Sequence, residues 1–361
     1  MTDKKTTKIT NILNELNNEK IITWFDLGLF MDKFKEKNLP SAFKGNASTF
    51  DSHVEKGGIA FLTFYFTIDG ITVETEKYAK TFKNIYPDIP IHFIAGEIKE
   101  EADELIPKGA FKKVIPEMEA FDAWPLYKDF FQIKMERGSE AYNNLIGKFW
   151  AEVLVLVEKL GSYIEENDIS LLYLINVCSN PGNVSLALAT VLISEYLGIP
   201  VINNNHDFYW EGGNRAVEIK KKGLKKGPRD FFFHNAHVGE FFSIIETIYP
   251  WESRSWMNVN INRIQQDHLI NINGHNPANV ALLGTAVDTK MHQMSKRDII
   301  KAFMQVSTIF ANKKDTITVH TAAHHTESKR SLKPILLGYK TIKDFDFVNN
   351  NIVFLQPTRV I

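Results

Sequence analysis

Short apolar runs alternate with stretches of helical spacing between residues 57 and 288. GGIAFLTFYF has a strand pattern, VETEKYAKTFKNIYP has apolar side chains at helical spacing, and PIHFIAGEI has a strand pattern again. A strand–helix–strand unit of this kind builds a parallel sheet. The alternation continues in the stretch from Ser139 to about Glu166, then SLLYLINVC, NPGNVSLALATVLISEYL, IPVINNN, WMNVNINRIQQDHLIN and ANVALLGTAVD. It predicts one α/β domain with a doubly wound parallel sheet.

The segments outside this alternation have other patterns. Residues 1–56 have amphipathic helical character and end in a polar loop, which predicts an N-terminal helical extension. Residues 100–136 are mixed and aromatic-rich, which predicts a loop with short helices. Residues 289–348 contain one helix pattern and a basic, polar stretch, which predicts a linker or helical segment. Residues 349–361 begin a new apolar strand.

Charge and cysteine content exclude several classes of protein. The formal net charge of -1 gives no general reason to expect a nucleic-acid partner. The single cysteine, Cys178, excludes an internal disulfide framework and is typical of a reducing compartment. There is no apolar run of about 18 residues, the length that a membrane-spanning helix needs. These features predict a soluble cytoplasmic protein.

Polar side chains follow two of the predicted strands. His206 and Asp207 come directly after IPVINNN, and the turn after SLLYLINVC contains Asn176, Ser179 and Asn183. The carboxyl edge of a parallel sheet is where open α/β folds bind ligands. We therefore predict a site at this edge. The alternatives are a strand-end histidine bonded to backbone and ordinary turn chemistry in the asparagine-rich loop.

The turn before the first predicted helix, TIDGIT, offers a second part of such a site. Gly70 lets a backbone approach a ligand closely. Thr72 is a candidate cap for the helix, and Asp69 lies beside it. The alternative is a plain turn between strand and helix, with a capping residue and no ligand.

Five segments in order resemble the family-4-type retaining glycosyltransferases of group 1, which have the GT-B fold. They are TIDGITVETEKYAKTF, INVCSNPGNVSLALA, NNNHDFYWEGGNR, VALLGTAVD and FLQPTRVI. The resemblance covers residues 57–288 and about the last ten. It departs from the family at Gly284, Thr285 and Ala286, where the family has proline, asparagine and a small residue. It implies a GT-B-type Rossmann-like domain at 57–288 and the first strand of a second Rossmann domain at 349–361, with the rest of that domain missing.

The resemblance also implies an activity: retaining transfer of a hexosyl group from a nucleotide-diphosphate sugar to a hydroxyl acceptor. No cofactor or metal is then expected. His206 and Asp207 would be catalytic, since a neutral imidazole can donate to and accept from a hydroxyl. The residues implied to bind substrate or donor are Asp69, Gly70, Thr72, Asn176, Ser179, Asn183, Tyr209 and Arg359. Tyr209 would stack on a sugar, with packing in the core as the alternative.

Arg359 matches the arginine that holds the donor diphosphate in this family, but the family's later lysine has no counterpart here. We therefore expect this chain alone to be inactive or nearly so. The alternatives within enzymes are a sugar phosphorylase and a nucleotide-sugar epimerase of the same fold. A non-catalytic sugar-binding or scaffold protein is the alternative from another class.

Two further patterns suggest partners. The basic run KKKGLKKGPR, from Lys220 to Arg229, would attract a phosphorylated or membrane-bound acceptor and so bring peripheral membrane contact. The alternative is a solvated loop. Of His320, His324 and His325, two are four residues apart, a spacing that could face one metal on a helix. No glutamate follows in a metalloprotease register and no cysteine lies nearby, so no metal site is predicted.

Overall fold

The computed structural model describes the backbone and side chains of most of the first 284 residues. The described residues are 7–37, 54, 57–131, 133, 135–136, 138–210 and 246–284, with the backbone of Ile317–Val319 and Ile335–Leu337. The chain divides into two compact units, Met1–Thr285 and Ala286–Ile361. In the second unit the two short strands pair antiparallel. The predictions for Arg359, the basic run from Lys220 to Arg229, and His320 and His324 lie outside the described residues.

The first unit is built on a parallel sheet, which confirms the predicted α/β class. Within the described residues the sheet has seven strands in the order β3-β2-β1-β4-β5-β6-β7, and every pair is parallel. The strands are β1 (Ile59–Leu62), β2 (Ile91–Ala95), β3 (Phe111–Val114), β4 (Leu171–Ile175), β5 (Val201–Asn205), β6 (Trp256–Asn260) and β7 (Val280–Leu282). The chain order reverses between β1 and β4, the position at which such folds form a ligand crevice.

Helices cover both faces of this sheet, as a parallel sheet requires. They are α1 (Lys8–Asn18), α2 (Trp24–Lys37), α3 (Gly70–Ile85), α4 (Tyr127–Phe131), α5 (Glu140–Glu166), α6 (Val184–Leu197) and α7 (Arg263–Asn271). Short 3-10 helices occupy Glu100–Glu104, Pro116–Met118, Phe121–Ala123 and Pro277–Asn279, and Tyr65–Phe66 pairs with Glu97–Ile98. No helix in the described ranges is long and apolar enough to cross a bilayer.

Alternate strand residues separate two cores, because successive side chains of a strand point to opposite faces. Leu172 and Leu174 of β4 belong to the larger core, which includes buried residues of α1, α2, α4, α5 and α6. Leu171 and Tyr173 belong to the smaller core on the other face, with Tyr78 of α3. Helix α3 therefore lies on the opposite face of the sheet from α5 and α6.

Helix α6 is buried along most of its length. Each residue from Val184 to Ser194 is buried, and a helix that is apolar all round is typical of the interior of a large domain. The helix ends at Gly198, which adopts the left-handed conformation at φ 68° that favours glycine after a helix.

The first two helices belong to the main core, although the sequence places them in an extension. Helix α1 approaches α5 at Gly161, where an added Cβ would lie 2.5 Å from Cδ1 of Ile9. The Glu165 carboxylate of α5 accepts the backbone amides of Lys8 and Ile9 at 2.8 and 3.0 Å. A carboxylate at a helix N-terminus stabilises that end of the helix.

The region 100–136 contains the short helices that its sequence predicts, and also a strand that it does not. β3 (FKKV) extends the sheet beside β2, with three of its four side chains exposed. An edge strand with two lysines lacks the apolar run that marks a buried strand. That is why the sequence did not indicate it.

Candidate functional site

The carboxyl ends of β4 and β5 are joined by Asn176. Its side-chain oxygen accepts the backbone amides of His206 at 2.9 Å and Asp207 at 3.0 Å. Asn176 itself adopts a left-handed conformation, φ 62°, which asparagine tolerates better than most residues. The turn that carries His206 is thus held by an asparagine in a strained conformation at the adjacent strand end.

Three other predicted site residues contact Asn176. The Asn176 amide donates to Oδ2 of Asp207 at 3.4 Å, and the Ser179 hydroxyl donates to the Asn176 side-chain oxygen at 3.3 Å. Gln265 of α7 donates to the backbone carbonyl of His206 at 3.0 Å, which fixes the turn from its other side. The structure therefore brings Asn176, Ser179, His206 and Asp207 together; their roles stay predictions.

His206 faces a carboxylate that the sequence analysis did not include. Nδ1 of His206 lies 3.7 Å from Oε2 of Glu74 on α3, and the two side chains are 11% and 4% exposed. Nε2 of His206 is buried and has no hydrogen-bond partner among the described residues. One side of the imidazole therefore meets a buried acid, and the other is a buried nitrogen without a partner among the described residues.

Glu74 is in turn part of a buried hydrogen-bonded chain. The Tyr78 hydroxyl donates to Oε1 of Glu74 at 2.5 Å, and the side-chain amide of Asn204 donates to the Tyr173 hydroxyl at 3.1 Å. The two tyrosines are neighbours, with ring centroids 5.2 Å apart, and their hydroxyls interact. Burial first, and then the Glu74 carboxylate, raise the pKa of the Tyr78 hydroxyl. The Tyr78 hydroxyl therefore keeps its proton at neutral pH.

Glu74 and Tyr78 have the i, i+4 spacing that places two side chains on one helix face. That spacing is readable in VETEKY, and a glutamate on the face that also carries an aromatic residue is the signal that could have indicated a buried pair. The pattern does not say that this face meets His206.

The start of α3 differs in detail from the prediction. Asp69, not Thr72, caps the helix: its Oδ1 accepts the Thr72 backbone amide at 2.8 Å. Thr72 is fully buried, and its hydroxyl accepts the Thr67 amide at 3.1 Å, so it ties the turn together. A Cβ added at Gly70 would meet nothing within 4 Å, so no described contact requires glycine there.

Asn183 has a structural role, as the alternative of ordinary turn chemistry predicts. It is fully buried and caps α6 by accepting the Leu186 amide at 2.8 Å. Its own amide donates to the carbonyls of Glu117 at 3.0 Å and Glu119 at 2.8 Å. Because these contacts use its donors and its acceptor, we leave Asn183 out of the ligand-binding set.

The aromatic residues after Asp207 pack within the protein. Tyr209 is 6% exposed and belongs to the main core, so the prediction of sugar stacking is corrected in favour of the core alternative. Trp210 lies between Phe208 and His268, with ring centroids 4.0 and 4.2 Å apart and nearly parallel planes. Both faces of the indole are thus covered.

Buried asparagines line β5 and β6 behind the site. Asn203 donates to Asn258 at 2.8 Å and Asn205 to Asn260 at 3.5 Å, and each pair is directly opposite in the strand register. All four are fully buried. Each pair shares one hydrogen bond, whereas the side-chain oxygens of Asn203 and Asn205 have no partner among the described residues. The strands leading to His206 are thus polar inside as well as at their ends.

Comparisons with known proteins match structures but not sequences. No protein-family model and no curated protein matches this chain. A glycosyltransferase from Rickettsia africae ESF-5 matches at 9% identity and a TM-score of 0.35, over 70% of this chain and 50% of that one. A UGT transferase from Siraitia grosvenorii in complex with UDP matches at 7% identity and a TM-score of 0.33, over 72% of this chain and 56% of that one. TcCGT1 in complex with UDP matches at 10% identity and a TM-score of 0.35, over 72% of this chain and 56% of that one.

These structural neighbours are glycosyltransferases at low sequence identity. This chain spans about half the length of each of them. At such identities and TM-scores the likeness carries no argument about activity. The functional argument therefore depends on the residues at the sheet edge.

Proposed function

We propose that this chain is a glycosyltransferase that moves a hexosyl group from a nucleotide-diphosphate sugar to a hydroxyl acceptor. The observation that carries the proposal is the environment of His206. It lies at the carboxyl edge of a parallel sheet, with Nδ1 toward buried Glu74 and Nε2 without a partner among the described residues. A histidine held by a carboxylate on one nitrogen can receive or donate a hydrogen bond at the other.

In this proposal the acceptor hydroxyl binds at Nε2 of His206, and Asp207 contacts the acceptor beside it. Asn176 and Ser179 hold the turn that presents both residues. The donor diphosphate lies toward the start of α3, because the N-terminal end of a helix favours negative charge. Gly70 leaves open space there, and Asp69 fixes the first turn. Arg359 lies outside the described residues, and its role stays what the family resemblance implies.

The stereochemical course distinguishes two versions of this function. The family resemblance implies retention. The His206–Glu74 contact favours the second candidate, inversion, because a base that removes the acceptor proton assists direct displacement. Proton NMR of the first product formed, before any mutarotation, reports the anomeric configuration and separates the two versions.

The function is tested by incubating the chain with a panel of nucleotide-sugars and hydroxyl acceptors, with product detection by mass spectrometry. If the coding DNA continues beyond Ile361, the longer protein is assayed in parallel. Transfer should fall by about 10²- to 10⁴-fold in His206→Ala, the usual size of a general-base contribution. His92→Gln is the matched control, since His92 is a buried histidine that contacts Tyr163 in another part of the sheet.

Other products would overturn the proposal in favour of specific alternatives. Phosphate-dependent sugar release indicates a phosphorylase, and conversion of one nucleotide-sugar into another without an acceptor indicates an epimerase. Acceptor binding in calorimetry with no donor binding, for both protein lengths, indicates a non-catalytic sugar-binding protein.

A further inference from the structure

The chain of buried polar groups behind His206 has a defined direction. Asn204 contributes its amide NH₂ to the Tyr173 hydroxyl, and an NH₂ group can only donate. The Tyr173 hydroxyl oxygen is thereby an acceptor, which leaves its proton for the neighbouring Tyr78 hydroxyl. The Tyr78 hydroxyl donates onward to Oε1 of Glu74 at 2.5 Å. Each donor in the chain is therefore directed toward the Glu74 carboxylate.

This direction has a consequence for the charge of Glu74. A buried carboxylate is costly unless hydrogen bonds compensate it, and Glu74 is 3% exposed. A hydrogen bond from a hydroxyl to an ionised oxygen is stronger than one between neutral groups, and chained donors strengthen one another. Burial also raises the pKa of Tyr173, so both hydroxyls stay protonated and able to donate. The chain thus stabilises the ionised form of Glu74.

We propose that Tyr78 and Tyr173 are positioning residues that keep Glu74 ionised and thereby hold His206 in the neutral tautomer with its proton on Nδ1. That tautomer leaves the lone pair of Nε2 available to an acceptor hydroxyl. The catalytic part of this inference rests on the proposed glycosyltransferase function; the tautomer does not. The Nδ1–Oε2 distance of 3.7 Å is longer than a hydrogen bond, as catalytic contacts often are before substrate binds.

The reverse direction is the competing arrangement. A rotated Asn204 amide would accept from Tyr173, both hydroxyl protons would point away from Glu74, and Glu74 would have to be protonated to complete the chain. His206 would then lose the anionic partner that selects its tautomer. The two arrangements contain the same heavy atoms but differ in the proton positions, so a spectroscopic measurement separates them.

The test is ¹⁵N NMR of the full chain labelled at histidine, in the absence of any substrate, with the His206 signals assigned by their loss in His206→Ala. We expect wild-type His206 at neutral to mildly alkaline pH to show a protonated Nδ1 and an unprotonated Nε2. Glu74→Gln should shift the population to the Nε2-protonated tautomer, because a glutamine amide can donate to Nδ1. Tyr78→Phe should give a mixture of the two tautomers, and Tyr173→Phe a smaller change.

Tyr163→Phe is the matched control. Like the test variants, it removes a tyrosine hydroxyl. The Tyr163 hydroxyl bonds to Nδ1 of His92 at 2.9 Å and does not belong to the group of polar residues that leads to Glu74. It should leave the His206 signals unchanged. Circular dichroism confirms that each variant is folded. If Tyr78→Phe does not fold, Glu74→Gln and Tyr173→Phe decide the question through the same signals.

A wild-type His206 protonated on Nε2, or a tautomer unchanged in Glu74→Gln or in a folded Tyr78→Phe variant, overturns the inference. Where transfer activity is detected, Tyr78→Phe should lower kcat by about 10- to 100-fold, a part of the general-base contribution, with little change in KM. If the expected tautomers are found but no transfer occurs, the proposed function is contradicted and this inference is supported. If transfer depends on His206 but His206 is protonated on Nε2, the proposed function is supported and this inference is contradicted.

Discussion

Two parts of the sheet bury side chains of different kinds: β1 and β4 form one part, and β5 and β6 form the other. β1 (IAFL) and β4 (LLYLI) are entirely buried and apolar except for one tyrosine hydroxyl. β5 (VINNN) and β6 (WMNVN) are largely buried, yet they carry five asparagines without exposure. The two halves belong to one sheet with the same parallel pairing, so the difference lies in the side chains alone.

This contrast indicates that the two halves contribute differently. Apolar burial stabilises in proportion to area and requires no particular orientation. A buried amide pair contributes only about 1 kcal/mol net, but it fixes the position of both groups, and leaving one unpaired is costly. The polar half ends at His206 and Asp207, where orientation matters most. The apolar half therefore supplies stability, and the polar half positions the candidate site.

The largest expected effect lies in the apolar half. Leu174→Ala removes a fully buried side chain at the centre of the sheet and leaves a cavity. We expect the free energy of unfolding in urea to fall by about 2–5 kcal/mol, the range for buried leucines. A loss below about 1 kcal/mol would mean that β4 does not lie in a tightly packed core.

A smaller loss is expected in the polar half. Asn203→Ala leaves the side-chain oxygen of Asn258 without its donor, and this should cost about 1–2 kcal/mol in the same measurement. The cycle with Asn258→Ala and the double variant should give a coupling of about 1 kcal/mol. A cost that equals or exceeds that of Leu174→Ala would refute the division between the two halves.

Glu152 of α5 is an ionisable side chain in the apolar helical layer, and its ionisation should affect the stability of the folded protein. Its Oε2 accepts from Nε1 of Trp124 at 2.8 Å and from the Ser185 hydroxyl at 2.6 Å, but burial is the largest influence and raises the pKa of the carboxyl above 4.5. Between the unfolded and the folded pKa the native state binds more protons, so stability falls as pH rises through this window.

Glu152→Gln should remove this contribution while keeping an oxygen that accepts both hydrogen bonds. We expect the variant to gain stability relative to wild type as the pH rises from about 4 to 7, the range in which a glutamate with a raised pKa ionises. Urea midpoints at both ends of that range provide the measurement. A larger decline with pH in the variant than in wild type would contradict the sign.

The smallest effect is expected at Cys178, in the loop between the apolar strand β4 and the candidate site. The thiol is fully buried, and burial raises its pKa, so alkylation of the native protein should be negligible. Alkylation rates measured against urea show whether this loop opens locally before the whole unit unfolds. Rapid labelling without urea would mean that the site edge is far less stable than the apolar strands.

Much of the fold could be predicted because local patterns reflect local physics. The helix expected from Ser139 to about Glu166 is α5, Glu140–Glu166, with Ser139 as its capping residue. The meeting of Asn176 with His206 and Asp207 follows from their places after adjacent parallel strands. β3 escaped prediction because an exposed edge strand needs no apolar run.

The remaining errors concern which way a side chain faces. Tyr209 follows a strand end, where both a ligand site and the core are within reach, and only the packing of neighbouring elements buried it. Asp69 and Thr72 are both suitable capping residues, and the exact start of α3 decided between them.

The sequence by itself determined the alternation of strands and helices, and hence a parallel sheet with His206 at its carboxyl edge. The pairing of His206 with Glu74, and of Tyr78 with Tyr173, was decided by the tertiary structure alone. Helical spacing determines which residues share a face of α3. The docking of that helix against the sheet determines where the face points, because docking depends on the summed packing of many distant side chains.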